Sequence, residues 1–390
     1  MTHVTPTDAA PHLPGIEHHP HARAVLLAAL PPAGAPSHAY LFHGPAGTGK
    51  RAVARAFAGV LLADGARTPA MVHERVARGA HPDLTWVTPS GASEVLVSDI
   101  DEPVVAAVTR TPFESSRRVF VIEAAGTMND QAANRLLKTL EEPPSFAHLI
   151  LLAEHREDVL PTIASRCQQV RFDPLSSDLV QQRLMDSASE ETGAEGGALD
   201  STRAAACARL SGGDATLAER LAGERGVRLR EWAEGFACSV LGEPGEQWRL
   251  GELLDSAKLA GSDAGAVAGE RLREQAELLP SKERRRFERE GADVVRRAER
   301  RARTETLDLG LRLVEMWLRD VWCVACGARE LVFALDRQGL LDAQAQGRDV
   351  DSLLRAVELV RDTRLRLALN VSEELALEAL AHRLAALLSR

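Results

Sequence analysis

A short run of small residues before position 51 carries the clearest chemistry in the chain. Gly44-Pro45-Ala46-Gly47-Thr48-Gly49-Lys50 has the spacing of a glycine, four residues, and a Gly-Lys pair. Glycines let a backbone wrap closely, so that successive N–H groups face phosphate oxygens. A helix opening at the lysine adds the positive end of its dipole, and the Lys50 ammonium reaches the outer phosphates. Gly44, Gly47, Thr48, Gly49, Lys50 and Arg51 are therefore the candidate nucleotide-binding residues, and ATP is the ligand class the spacing allows.

Two positions depart from what hydrolysis needs. Such loops carry Ser or Thr after the lysine, and its hydroxyl coordinates magnesium. Here that position is Arg51, a permanent cation with no lone pair to offer a metal. An acid is also needed at the end of a later strand. Val119-Phe120-Val121-Ile122 is followed by Glu123-Ala124-Ala125. Glu123 falls at the metal position, as a longer carboxylate than expected. The place of a water-activating acid is Ala124 or Ala125, which can transfer no proton. Productive magnesium binding is not expected of this set.

The elements that would hold these residues alternate. Strands are predicted at Ala39–Phe42, Asp83–Val87, Arg118–Ile122, His148–Leu152 and Gln169–Phe172, with an Ala-rich helix over Arg51–Ala63. Short strands separated by helical segments point to crossover connections and a parallel sheet. Runs such as Leu149-Ile150-Leu151-Leu152 suit a sheet covered on both faces. After Pro174 no further strand is evident. Ser176 to about Ala222 reads as helical, broken at Gly212-Gly213, and long helices follow. Leu307, Leu311, Val314, Leu318 and Val321 recur at helical spacing. Asn370–Leu388 is amphipathic, with Glu373 and Glu374 where a helix dipole favours anions. The charged stretch Lys282–Arg303 reads as a solvated helix or a partly disordered hairpin in preference to a DNA contact. The expected class is α/β plus all-α, with domains at 1–175, 176–225 and 226–390.

Composition narrows the function. The chain has 390 residues, 45% hydrophobic and 26% charged, with a net charge of -9, which argues against nucleic-acid binding by bulk charge. No apolar run approaches the roughly 20 residues that span a bilayer. The polar stretch Met1–Pro20 lacks the pattern of a secretory signal, so the cytoplasm is expected. The five cysteines are scattered and form no disulfide framework. Cys323 and Cys326 are expected to pack in an apolar helix, because a zinc site needs two more ligands. Cys167 is expected to be a buried packing residue. His18, His19 and His21 read as surface histidines.

Two further motifs carry a family resemblance. Asn134-Arg135-Leu136-Leu137-Lys138-Thr139-Leu140-Glu141-Glu142-Pro143-Pro144 resembles a signature of the clamp-loader branch of the AAA+ ATPases. Leu160-Pro161-Thr162-Ile163-Ala164-Ser165-Arg166-Cys167 resembles the Ser-Arg-Cys motif of the same family. With the phosphate loop, the likeness covers about residues 13–175. Leu369-Asn370-Val371 and Leu375–Leu380 resemble the last collar helix of delta-prime-type members. The charged segment is a weaker likeness, to members from high-GC bacteria.

The resemblance implies a RecA-like AAA+ module, a small helical lid, and a helical collar. It implies a pentameric ring with tau/gamma-type and delta-type subunits of DNA polymerase III, which handles a sliding clamp and primer-template DNA. It also implies that Arg166, beside Ser165, enters a neighbour's ATP site and stabilises charge on the transferred phosphoryl group. From the residues alone, Pro161 suits a first helical turn and a strand follows at once. Arg166 therefore sits at a rigid corner; a plain surface ion pair is the alternative.

Other positions fit a member that does not hydrolyse ATP. Ala153-Glu154 stands where ATPase members carry a polar phosphate sensor, and Thr216 where they carry a lid arginine, with Arg220 one turn on. Many members hold zinc with four cysteines after the loop helix. Between Lys50 and Arg166 this chain has none, so no zinc is expected there. Three rivals remain: an active motor of the same family, a small-molecule P-loop kinase, and a pure scaffold in which neither nucleotide nor Arg166 matters. The first two need an intact metal site.

Overall fold

The computed structural model describes residues 13–30, 34–89, 94–190, 199–242, 248–277, 281–367 and 371–388. The chain divides into two compact units, Met1–Leu175 and Ser176–Arg390. Among the described residues no helix is long and apolar enough to cross a membrane.

The first unit is built on five strands: β1 (Ala39–His43), β2 (Leu84–Val87), β3 (Arg118–Ile122), β4 (Ala147–Ala153) and β5 (Gln168–Arg171). They lie in the order β2-β3-β4-β1-β5, every pairing parallel. The helices are α1 (Pro20–Ala28), α2 (Lys50–Ala63), α3 (Pro69–Ala77), the short α4 (Val97–Ile100) and α5 (Ala106–Val108), α6 (Asp130–Glu141), and α7 (Pro161–Ala164).

Side chains alternate across the strands, so each face of the sheet builds its own core. Leu41, Phe120, Ile122, Leu149 and Leu151 pack with Leu136 and Leu140 of α6. Tyr40, Phe42, Val119, Val121, Ile150 and Leu152 pack with Phe57, Leu61 and Leu62 of α2. All of these except Leu140 and Leu152 are wholly buried. The five predicted strands agree with these to within a residue or two at each end.

The second unit is helical: α8 (Ser177–Glu190), α9 (Ser201–Ser211), α10 (Ala215–Ala222), α11 (Glu224–Val240), α12 (Leu250–Glu277), α13 (Ser281–Ala325), α14 (Gln338–Ala345), α15 (Val350–Leu367) and α16 (Glu373–Leu388). Gly212 and Gly213 adopt positive φ between α9 and α10. The side chain of Asp214 then caps α10 by accepting from the Leu217 N–H at 2.9 Å. The predicted apolar face of α13, Leu307 to Val321, is buried. Along α12, a Cβ on Gly261 would stand 2.9 Å from the Glu299 carbonyl oxygen, so a side chain there would push α13 away.

Lys282–Arg303 forms part of α13; the side chains of residues 282, 283 and 285–290 lie outside the described residues. Farther along, Arg303 pairs with Glu373 in the first turn of α16. Residues 368–370, within the collar likeness, are also outside the described residues.

One buried titratable group sets an acid limit on the first unit. His148, 2% exposed on β4, donates its Nδ1–H to the Ser37 carbonyl at 2.9 Å. Its Nε2 is buried without a partner. Burial foremost, then the nearby Arg117 and His38 charges, push its pKa down from 6.5 to about 4. The folded chain therefore holds the ring neutral, while the unfolded chain protonates it below about 6.5. Stability is complete above that pH and is lost as pH falls from 6.5 towards 4, by roughly 3 kcal/mol for a shift of this size. Urea melts across that range should show the loss, and His148→Phe should flatten it. An unchanged slope in the variant would place the acid sensitivity elsewhere.

Candidate functional site: a phosphate loop and an arginine corner

The loop follows β1 because the chain must turn sharply under the strand ends. Gly44 has φ 147°, and a Cβ there would stand 2.0 Å from the Phe172 carbonyl oxygen. Gly49 caps α2 at φ 88°. Only glycine meets both demands without strain. Lys50, the first residue of α2, is 8% exposed. Its ammonium donates to the Gly44 carbonyl at 2.6 Å and the Pro45 carbonyl at 2.5 Å. The Thr48 hydroxyl donates to the Pro45 carbonyl at 2.9 Å. The lysine is thus folded onto the loop it would serve.

His19 corrects the expectation of three surface histidines. It is 1% exposed, its ring lies 4.9 Å from that of Phe172, and its Nε2 lies 2.8 Å from the Thr48 carbonyl oxygen. A carbonyl only accepts, so Nε2 carries the proton in this contact. His21 is exposed and accepts at Nδ1 from the Arg171 N–H. Nothing local marks His19 as different; only the fold carries α1 to the loop.

The two residues that depart from a hydrolytic site meet. Arg51 Nη2 lies 2.8 Å from Glu123 Oε1, with the carboxylate side chain 15% exposed. The same oxygen accepts the Trp86 indole N–H at 2.6 Å. Arg55, one turn on along α2, stacks 4.5 Å from the Trp86 ring centroid. A divalent ion requires free carboxylate oxygen and, from the loop, a hydroxyl. One carboxylate oxygen, Oε1, is engaged by both a protein cation and an indole, and the hydroxyl position is a guanidinium. Magnesium does not fit this residue set. Beside it, Ala124 holds φ 52°, one of two non-glycine residues at positive φ among those described. Ala125 is buried. After β4, the Glu154 carbonyl accepts from the Gly44 N–H at 3.0 Å, which sets that residue against the loop.

At the other end of the sheet lies the arginine corner. Pro161 opens α7, Ser165 ends it, and β5 begins at Gln168. The Ser165 hydroxyl donates to the Thr162 carbonyl at 3.2 Å. Arg166 donates from Nη1 to the same carbonyl at 2.9 Å, and from Nη2 to Glu141 Oε1 at 2.7 Å. Glu141 is the last residue of α6, which stops ahead of Pro143-Pro144. His38, Glu141, Ser165, Arg166 and Gln168 line an open cleft of about 540 Å³.

Gln168 pairs with Tyr40 near the start of β1, whereas the loop leaves the end of that five-residue strand. At roughly 3.3 Å per residue, the strand sets about 16 Å between the corner and the loop, beyond an arginine's reach. Arg166 cannot serve the phosphate loop of its own chain.

Cys167 packs in the core beneath the corner, and burial drives its thiol up to about 12. Cys323 is buried as expected, but Cys326 is exposed, because α13 ends at Ala325 and the chain turns at Gly327. In the second unit, Thr216 and Arg220 both lie exposed on α10. The sequence reading missed His19, Trp86 and the pairing of Glu141. Only Glu141 had a signal, as part of a motif that was read as a whole.

The first unit is similar in sequence to known proteins. Residues 23–176 match the family described as DNA polymerase III, delta subunit. The DNA polymerase III subunit delta' of Pseudomonas aeruginosa is 38% identical over 197 residues, 49% of this chain and 57% of the relative. Subunit delta' of Bacillus subtilis is 36% identical over 156 residues, 38% of this chain and 46% of the relative. Subunit tau of Bacillus subtilis is 32% identical over 154 residues, 38% of this chain and 27% of the relative. The chain thus spans about half the length of the delta' relatives it matches. The sheet order, glycine loop and arginine corner of the first unit thus accompany sequence similarity to DNA polymerase III subunits. Over residues 23–176 the chain is similar to the delta' sequences of DNA polymerase III.

The pairing of Arg51 with Glu123 makes a specific demand on repair. Manganese added to the chain with ADP should give the same electron paramagnetic resonance spectrum as manganese and ADP without protein. Glu123→Asp alone should leave it so, since the guanidinium stays. Only Arg51→Thr with Glu123→Asp should yield a bound-ion spectrum; one from the unaltered chain would overturn this account.

Proposed function

We propose that this chain works as the delta-prime subunit of a DNA polymerase III clamp loader. It gives Arg166 to the ATP site of a neighbouring subunit and hydrolyses little or no ATP itself. The observation that carries this reading is the separation of loop and corner to opposite ends of one parallel sheet. A solvent-facing arginine on a backbone corner, out of reach of its own loop, suits a phosphate held by another chain.

The similarity to delta' and tau sequences supports the rest of the reading. The partners are tau/gamma-type and delta-type subunits in a pentameric ring. A sliding clamp and primer-template DNA are engaged through that assembly, in the cytoplasm. ATP is at most a bound ligand of the first unit's loop: Lys50 and the loop amides are the groups that would hold it, with no hydrolytic metal. Residues 176–225 would serve as the lid and 226–390 as the collar that joins the ring. The active-motor and small-molecule-kinase readings both require the metal site that Arg51 and Glu123 occupy.

A scaffold reading is favoured by one contact: Arg166 already pairs with Glu141. That pair is exposed, and such pairs are worth about 0–1 kcal/mol, so a bound phosphate outcompetes it readily. The purified chain should show negligible ATPase activity with or without magnesium. In a loader reconstituted with its ATPase subunits, Arg166→Ala should leave assembly intact. It should slow hydrolysis at the site it faces by roughly 10³-fold or more, as arginine fingers do. Assembly with undiminished hydrolysis would establish the scaffold instead.

A further inference from the structure

We infer that Glu141 is a positioning residue for Arg166, one that also competes with an incoming phosphate for its guanidinium. The inference rests on the reading of Arg166 as a donor to a neighbour's ATP site.

Two anchors of different kind hold the guanidinium. The Thr162 carbonyl takes Nη1–H at 2.9 Å, and Glu141 Oε1 takes Nη2–H at 2.7 Å. The first is neutral backbone within α7, fixed by the fold. The second is an ionised carboxylate at the end of α6. A guanidinium has five N–H donors, so three remain for a phosphoryl oxygen while both anchors are in place. The Thr162 anchor can aim the side chain by itself. The Glu141 anchor adds aim but cancels charge, and it sets a negative group beside the position an anionic phosphate must take.

Exposure makes this contact adjustable. The Arg166 and Glu141 side chains are 38% and 50% exposed, and both line the open cleft. Water and salt weaken such a pair, so the arginine is held ready but not locked. The carboxylate reduces the pull of Arg166 on triphosphate until the neighbour's site closes on it. Glu141→Gln keeps an acceptor oxygen at the same place and removes the charge alone.

The test uses the loader reconstituted from the full chain and its ATPase subunits, with kcat/KM for ATP as the readout. Glu141→Gln should raise kcat/KM about two- to fivefold at low salt, the range an exposed pair can supply. The gap from wild type should shrink as salt is added. Glu141→Asp, which keeps the charge, should stay near wild type. In the Arg166→Ala background, Glu141→Gln should change nothing. If Arg166→Ala slows hydrolysis but Glu141→Gln leaves kcat/KM unchanged or lower, the competition is refuted and the arginine reading survives. If Arg166→Ala has no effect, the arginine reading fails and this inference falls with it.

Discussion

A parallel sheet has two unlike ends, and the functional logic of the first unit depends on that polarity. Every strand runs the same way, so residues that follow strands gather at one end and residues that precede them at the other. The glycine loop, Glu123 and Glu154 follow strands β1, β3 and β4. Ser165 and Arg166 precede β5. One domain therefore displays a glycine loop with a helix N-terminus at one end and a solvent-facing guanidinium at the other. No side-chain motion joins the two within a chain.

At the cradle end, a fixed positive charge stands where a divalent ion would act. The exchange is physically coherent. An arginine at that position would repel a metal and would need an anion; Glu123 supplies one, and the Trp86 indole satisfies the same oxygen. A part-buried carboxylate with neither metal nor cation beside it would be costly. The two substitutions compensate each other, and either alone would leave a charge poorly matched. The Lys50 ammonium turned onto the Gly44 and Pro45 carbonyls stabilises the loop in the same manner.

The helical unit is held by different means. Its long helices approach closely through glycines of α12, and buried charges are answered in kind. Glu315 takes Arg361 and Arg364 across α13 and α15. Asp320 accepts from the Phe333 and Ala334 N–H groups, although burial pushes its pKa up. A carboxylate that accepts two backbone N–H groups closes the turn after a long helix.

The strand pattern, the glycine spacing and the Ser-Arg-Cys corner were legible in the sequence because each is local. Strand alternation, a turn that admits only glycine, and a proline-started helix depend on near neighbours in the chain. Arg51 and Glu123 were also each legible as departures from a metal site. That they touch could not be read, because 72 positions separate them and only the parallel placement of β3 beside β2 and under α2 brings them together. His19 illustrates the limit from the other side. Its sequence context is polar and rich in histidine, yet the fold buries it against the Thr48 carbonyl. Residue identity determined which groups could cradle a phosphate and which could not bind a metal. Long-range packing decided which charges met, because burial and distance are properties of the folded chain.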